Sequence, residues 1–349
     1  ADIDAPACRL PLRFRPTYRV DFSPIIFGPL NRPTGTKTMS NKIDGIIPVM
    51  LTPFTEEGAI DYQGLENLIE WYIAKGSDSL FAVCQSSEMQ FLSLEERVSL
   101  ARFVQQKAAD RVPVIASGHI SENRDDQLAE LLAAAETGVD GVVLVTNRLD
   151  PHNAGGTTFM DSLRWLLERL PADMPLGLYE CPAPFRRLLT DDELKFCADT
   201  GRFVILKDVS CDLETVKRRI ALTTGSPLAI LNANAAIAWD AMKAGSPGFN
   251  GVFTNFHPDL YKWLLTEGQS HPALADELSV FLALAAMAEP MGYPALAKLH
   301  HQRLGTFASI KSRAVHFDIR ERFWALEALL DKIDAGTALY RERVSAAAR

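Results

Sequence analysis

Phe203-Val204-Ile205-Leu206-Lys207 is a short β-branched and apolar run that ends on a cation, and the run before it, Leu176-Gly177-Leu178-Tyr179, ends on a phenol. Short apolar runs of this kind, bounded by turn signals, read as buried strands. Working outward, they recur at Gly45 to Met50, Ser79 to Val83, Val114 to Ser117, Gly141 to Val145, Leu228 to Leu231 and Gly251 to Thr254. An amphipathic stretch follows each run. The expected helix starts lie near Tyr62, Leu94, Asn123, Thr158, Asp191, Asp212, Ala233 and Pro258, several behind an Asp, Ser or Thr suited to capping. Strands alternating with crossover helices make a parallel sheet, and this alternation fits an α/β fold of the (β/α)8, or TIM, barrel type over residues 39–270. A doubly wound open sheet is the alternative. Its dinucleotide-binding form loses support because Thr52-Pro53-Phe54-Thr55, not a glycine-rich turn, follows the first run.

Both ends of the chain differ from this pattern. Residues 1–38 carry recurrent Pro and Arg, no acid after Asp21 and no sustained period, so they are expected to be a disordered or non-native leader, with weak likeness to a transit peptide. Residues 271–349 read as helical throughout, at Ala273 to Ala288, Pro294 to Gly305 and Glu321 to Tyr340. The apolar faces of this C-terminal appendage (Phe281, Leu282, Leu284 and Met287; Phe323, Leu326, Leu329 and Leu330) are expected to pack on the barrel, part of them serving a subunit contact.

The 349 residues are 47% hydrophobic, which supplies a sizeable core and excludes disorder as the main state. With 36 basic against 44 acidic residues the net charge is −8, and no basic stripe interleaved with aromatics occurs. A nucleic-acid or anionic-membrane partner therefore lacks its electrostatic footprint, and a small molecule is the expected partner. No apolar run reaches the roughly 18 residues of a membrane span, and no clear signal peptide is present, so a cytoplasmic location is expected. Five cysteines without a CxxC pair argue for reduced thiols and against a disulfide framework or structural zinc.

Chemistry in such a barrel is sought where strands end. Lys207 at the end of an apolar strand has either a pKa lowered toward a usable amine nucleophile or an ion pair with Asp208, and the residue alone leaves both readings open. Tyr179, at the end of the neighbouring strand, is either a proton shuttle or a core ring with its hydroxyl at the rim. The turn Cys84-Gln85-Ser86-Ser87-Glu88 offers hydroxyls and N–H groups suited to a carboxylate, or is simply a capped turn. Asn232 and Asn234 follow the seventh run and could read substrate hydroxyls, although Asn232 could equally cap the next helix. Phe253 in the last run is taken with the binding residues. His119 could face the site as an acid or base or be an ordinary rim histidine. His300-His301 lacks partners at ligand spacing, so no metal is expected. Cys84 and Cys181 could approach each other as inert buried thiols.

Four stretches in this order, GIIPVMLTPF (45–54), SSEMQFLSLEER (86–97), LYECP (178–182) and VILKDVS (204–210), resemble the pyruvate-dependent class I aldolases and lyases of the dihydrodipicolinate synthase and N-acetylneuraminate lyase group. The likeness spans residues 43 to about 305. It implies that Lys207 forms a Schiff base with a 2-oxo acid, that Tyr179 relays protons, and that Ser86 and adjacent N–H groups hold the substrate carboxylate, with Ser87 and Gln85 beside it. It also implies a homo-oligomer, a dimer or tetramer, and no cofactor, because the protonated imine is itself the electron sink.

The chain departs from that family pattern in three places. The usual Gly-Thr-Thr-Gly-Glu turn has become Cys84-Gln85-Ser86-Ser87-Glu88. No tyrosine stands in Thr146-Asn147-Arg148-Leu149-Asp150, and the synthases' arginine position after the strand-5 tyrosine is Pro184, with Arg186 and Arg187 beyond it and expected to face solvent. The expected activity is thus cleavage or joining at a 2-oxo acid outside lysine biosynthesis. A 2-keto-3-deoxy sugar-acid dehydratase is the enzyme alternative, and a non-catalytic keto-acid or sugar-acid sensor the alternative of another class.

Overall fold

In the structure, a computed structural model, residues 42–347 are described. The expected leader, residues 1–38, lies outside the described residues. Eight strands follow in chain order: β1 (Gly45–Ile46), β2 (Leu80–Val83), β3 (Val114–Ser117), β4 (Gly141–Val145), β5 (Leu176–Tyr179), β6 (Phe203–Asp208), β7 (Ala229–Asn232) and β8 (Gly248–Phe249). Every pairing is parallel, in the order β1-β8-β7-β6-β5-β4-β3-β2. The two ends of this order then meet: Val49 bridges Phe81, Met50 N donates to Phe81 O at 3.1 Å and Phe81 N to Pro48 O at 3.0 Å. The sheet is therefore a closed (β/α)8 barrel, whose strands are buried on both faces and so read as continuous apolar runs.

The helices between strands begin at local signals. Ser93 and Glu96 form a reciprocal capping box for Leu94–Ala108, and Thr190 and Glu193 do the same for Asp191–Asp199. Asp61, Asn123 and Asp212 cap three others. Between helices and barrel wall lie buried apolar clusters, one holding Leu65, Leu68, Leu100 and Val104 of the first two helices, the other Leu144, Phe159, Leu163, Leu178, Leu194 and Leu206.

Two expected strands are corrected. The first is cut to Gly45–Ile46 because Pro48 has no N–H to extend the ladder. The eighth is Gly248–Phe249, and the expected run Gly251 to Thr254 falls instead at a 3-10 turn, Val252–Asn255. At Gly248 a Cβ would stand 1.8 Å from the Gly45 carbonyl oxygen, so this pairing needs the residue type that otherwise signals a turn.

The helices after residue 271, Pro272–Ala286, Ala295–Arg303, Ile319–Arg322 and Leu326–Ala347, belong to the same unit as the barrel. Leu282, Leu326 and Leu330 are buried as expected, but Leu284 and Met287 are 68% and 71% exposed. The expected helix from Glu321 is broken before Leu326, because Asp318 accepts from Arg320 N and Glu321 N and caps a short turn of its own. Arg341 donates to both oxygens of Asp259, and His257 meets Thr337, tying the last helix to the barrel layer. No helix among the described residues is long and apolar enough to cross a membrane.

Candidate active site

β5 and β6 pair with Tyr179 opposite Lys207. Successive side chains alternate across a strand, so the residues that follow these two, Glu180 and Asp208, turn to the other side. There Arg219, from the helix Leu213–Leu222, donates to Glu180 Oε1 at 2.7 Å and Oε2 at 2.9 Å, to Asp208, and to Leu189 O at 3.1 Å. All three ionic residues are essentially without solvent contact. Asp208 also accepts from Ser210 N and Oγ, so the pairing of Lys207 with Asp208 that the sequence left open does not occur. One guanidinium thus fixes the ends of both strands behind the residues facing the barrel mouth.

Lys207 is 5% exposed, with Nζ 4.5 Å from the Tyr179 ring centroid and 5.9 Å from that of Phe81. Burial lowers its pKa, opposed only in part by Cys84, Cys181 and Glu289 nearby. Burial pushes the Tyr179 phenol well above its ordinary value, so it keeps its proton at neutral pH, and its hydroxyl donates to Gln85 Oε1 at 3.3 Å.

The turn after β2 divides its expected residues. Gln85 and Ser86 line the pocket, whereas Ser87 is turned inward: its Oγ accepts from Cys84 N at 2.6 Å and donates to Cys84 O at 2.7 Å. Glu88 N to Gln85 O and Met89 N to Cys84 O close the turn and leave the Ser86 N–H outside its backbone bonds. Glu88 has a left-handed φ of 62°, a conformation that costs a non-glycine residue about 1–2 kcal/mol. Its carboxylate is held by Lys298 Nζ at 2.5 Å, Ser312 Oγ at 2.9 Å and Ala314 N at 2.8 Å. Lys298 is fully buried, and burial lowers its pKa to about 8, against the pull of Glu88. The C-terminal segment therefore clamps the turn that carries Gln85 and Ser86.

These residues open into a cavity of about 540 Å³. Phe253 lines it, stacked on Phe256 at 4.4 Å between centroids. Asn234 lines it too, with its Oδ1 accepting from Ala236 N. Asn232 does not: its amide donates to Asn234 O at 2.7 Å and its Oδ1 accepts from Asn234 N, so the side chain is spent on its own turn. His119 is fully buried away from the pocket, accepts from Val145 N at 2.8 Å, and is lowered to about pKa 4 by burial. Arg187, expected in solvent, is buried between Asp150 and Glu193 and over the Phe159 ring, because two carboxylates offset its desolvation. Arg186 reaches only the carbonyls of Val209 and Ser210. His301 is spent on Asn255 O and Thr306, and no cluster of three or more metal-ligating groups occurs among the described residues. Cys84 and Cys181 are buried free thiols near Tyr179 and Lys207.

Tyr293 and Glu289 also line the pocket and were missed. The Tyr293 hydroxyl accepts from Asn255 Nδ2 at 2.9 Å and is hydrogen-bonded to Ser86. The only sequence signal was a tyrosine inside the turn Glu289-Pro290-Met291-Gly292-Tyr293-Pro294, off any apolar helix face. Glu289 stands at the rim, its carboxyl pKa raised by desolvation while Lys207 pulls the other way.

At the mouth of a closed barrel, then, a lysine at the end of an apolar strand stands in register with a tyrosine on the neighbouring strand. The chain belongs to the dihydrodipicolinate synthetase family, whose model matches residues 42–313. The 4-hydroxy-tetrahydrodipicolinate synthase of Bacillus subtilis is 32% identical over 176 residues, covering 50% of this chain and 59% of that protein. The synthase of Psychrobacter arcticus is 27% identical over 225 residues, 64% and 73% of the two chains. The match thus spans about three-fifths of the Bacillus relative's length. Among solved structures, YagE of Escherichia coli K12, a prophage protein of the same family in complex with pyruvate, superposes with a TM-score of 0.75 at 22% identity, over 84% of this chain and 99% of that one. The synthase of Acinetobacter baumannii, also complexed with pyruvate, gives 0.74 at 23% identity, over 84% and 99%. These two likenesses concern the fold.

Proposed function

We propose that the protein is a class I lyase or aldolase in which Lys207 forms a Schiff base with a pyruvate-type 2-oxo acid. The observation that carries this is the buried Lys207 amine, without an ion-pair partner among the described residues, in register beside a protonated Tyr179. The neutral amine attacks the 2-oxo carbon to give a carbinolamine. Tyr179 returns a proton to the departing oxygen, water leaves, and the iminium accepts the electron pair released at C3. Ser86 and the N–H groups of its turn bind the substrate carboxylate, with Gln85 holding Tyr179 in place.

Lysine-pathway synthesis is not the activity in this reading. Leu149 is buried and apolar where a relay tyrosine would follow β4, and Arg187 is committed to two carboxylates. Cytoplasmic location and assembly as a homo-oligomer extend the family reading, and light scattering of the purified protein tests the second. For the chemistry, the protein is incubated with pyruvate and borohydride and read by intact mass and peptide mapping. One reduced pyruvate adduct on the peptide containing Lys207 is expected. Adduct on another lysine, or none, would refute the assignment.

A further inference from the structure

Beyond Lys207, Tyr179, Gln85 and Ser86, the cavity wall changes character. The turn after β7 contributes Ala233, Ala235 and Ala236, and the helix Pro272–Ala286 contributes Ala283 and Ala286, continued by Met287. Phe91 and Val252 complete much of the remaining wall. Among the described residues lining the pocket, Lys207 is the only cation, while Glu289 adds an acid at the rim. We infer that the second substrate is an uncharged, apolar aldehyde seated against this alanine-rich wall, an inference that rests on the Schiff-base reading above.

Three observations exclude the charged and polyhydroxylated alternatives. A carboxylate at the distal end would be desolvated without a partner and would face Glu289. Both nearby arginines are engaged elsewhere, Arg187 with Asp150 and Glu193 and Arg186 with two backbone carbonyls. Along the alanine stretches a polyol chain would meet methyl groups where its hydroxyls need donors and acceptors, with the side chains of Asn234 and Gln90, one of whose acceptors, Asn234 Oδ1, already serves Ala236 N, as the polar groups beside them.

The apolar choice has positive support as well. The cavity of about 540 Å³ lies within the roughly 300–1,000 Å³ range of ligand pockets and exceeds what a three-carbon oxo acid fills. Phe91 and Met287 stand at its mouth 48% and 71% exposed, and an apolar substituent would cover them. The helix that carries the wall buries Ala275, Leu278, Leu282 and Ala285 in the core, and of its small residues Ala283 and Ala286 are the ones that line the cavity.

In the cleavage direction the substrate is a 4-hydroxy-2-oxo acid with an apolar group on C4. Lys207 displaces the carbonyl oxygen, which leaves as water with a proton from Tyr179, the Tyr179 phenolate takes the proton of the C4 hydroxyl, and the C3–C4 bond breaks with its electron pair passing to the iminium. The apolar aldehyde departs, the enamine takes a proton at C3 from Tyr179, and water adds to the iminium, returns that proton to Tyr179, and releases pyruvate and the amine. Only water is consumed and returned.

The test measures pyruvate condensation with isovaleraldehyde and benzaldehyde against glyceraldehyde and succinic semialdehyde, by product chromatography and mass, alongside borohydride trapping of pyruvate alone. At least one apolar aldehyde is expected to have kcat/KM about 100-fold above both polar ones. Ala283→Arg, which places a cation in the wall, is expected to shift the ratio toward succinic semialdehyde by about tenfold or more. Trapping of pyruvate with equal or better use of a polar aldehyde, with no apolar turnover, or with an unchanged ratio in folded Ala283→Arg would overturn the inference and leave the Schiff-base reading standing. Failure to trap pyruvate at Lys207 would overturn both.

Discussion

The two halves of the pocket are built by different means. The inner half consists of strand ends and one strand-following turn, each immobilised from behind: Arg219 locks Glu180 and Asp208 behind Tyr179 and Lys207, and Lys298 locks Glu88 behind Gln85 and Ser86. The outer half consists of small side chains on helix and turn surfaces, drawn in part from the helix Pro272–Ala286, whose ion pairs, Asp276 with Lys243 and Glu277 with Arg343, are exposed to solvent and not buried behind the lining residues. Reactive atoms need fixed geometry, so anchors accumulate where chemistry happens. The wall that meets the variable part of a substrate needs only shape, and alanine supplies it.

Substitutions at the inner half should therefore have large effects and those at the outer half small ones. Lys207→Ala should abolish pyruvate trapping altogether, read by intact mass. Tyr179→Phe should slow turnover by roughly 10²- to 10⁴-fold, the usual worth of a positioned acid–base group, with the circular-dichroism spectrum unchanged. Condensation with aspartate semialdehyde, followed by a coupled reductase, should run at least about 10³-fold below a competent lysine-pathway synthase, because among the described lining residues there is no cation besides Lys207 to meet its carboxylate. Lys298→Met strands the buried Glu88 charge and should cost about 3–5 kcal/mol in denaturant unfolding. Ala286→Gly, at the last residue of the wall helix, should change turnover by no more than about twofold, its cost being confined to less than about 1 kcal/mol of helix stability. A large loss of turnover from the last substitution would erase the contrast between the halves.

The smallest effect concerns stability and pH. Burial lowers the folded pKa of Lys207, so between that value and the ordinary lysine value of about 10.4 the unfolded chain binds more protons than the folded one. The cost of burying the charge is therefore full below the folded pKa and fades as pH rises through it toward the unfolded value. Lys207→Met should accordingly be more stable than wild type at pH values below that folded pKa and lose the advantage as pH rises toward the unfolded lysine value. A variant of unchanged stability across this range would show that Lys207 carries no burial cost.

The same contrast explains what could be read from the sequence. The barrel was legible because buried parallel strands leave continuous apolar runs, and Lys207 and Tyr179 were legible because each interrupts such a run at its end. Strand β8 was not, since its two residues pair only through a glycine approach that resembles a turn. Ser87 and Asn232 carry the right functional groups but spend them locally, a choice that depends on turn geometry. Arg187 was misplaced because its partners Asp150 and Glu193 lie on separate elements. Tyr293 and the alanine wall reach the pocket through tertiary folding of the C-terminal helices, and alanine on a helix announces nothing.

The barrel is also unevenly zipped. β5 and β6 share four registered pairs, as do β6 and β7, whereas β8 is joined to β7 by one and to β1 by two, and β1 meets β2 through the single bridge at Val49 beside a proline. In amide hydrogen exchange this seam should be the first part of the wall to take up deuterium, while the backbone on either side of Lys207 stays protected until the whole barrel opens. The staves that bear the reactive pair are thus the last to loosen, and the hoop parts on the far side from them.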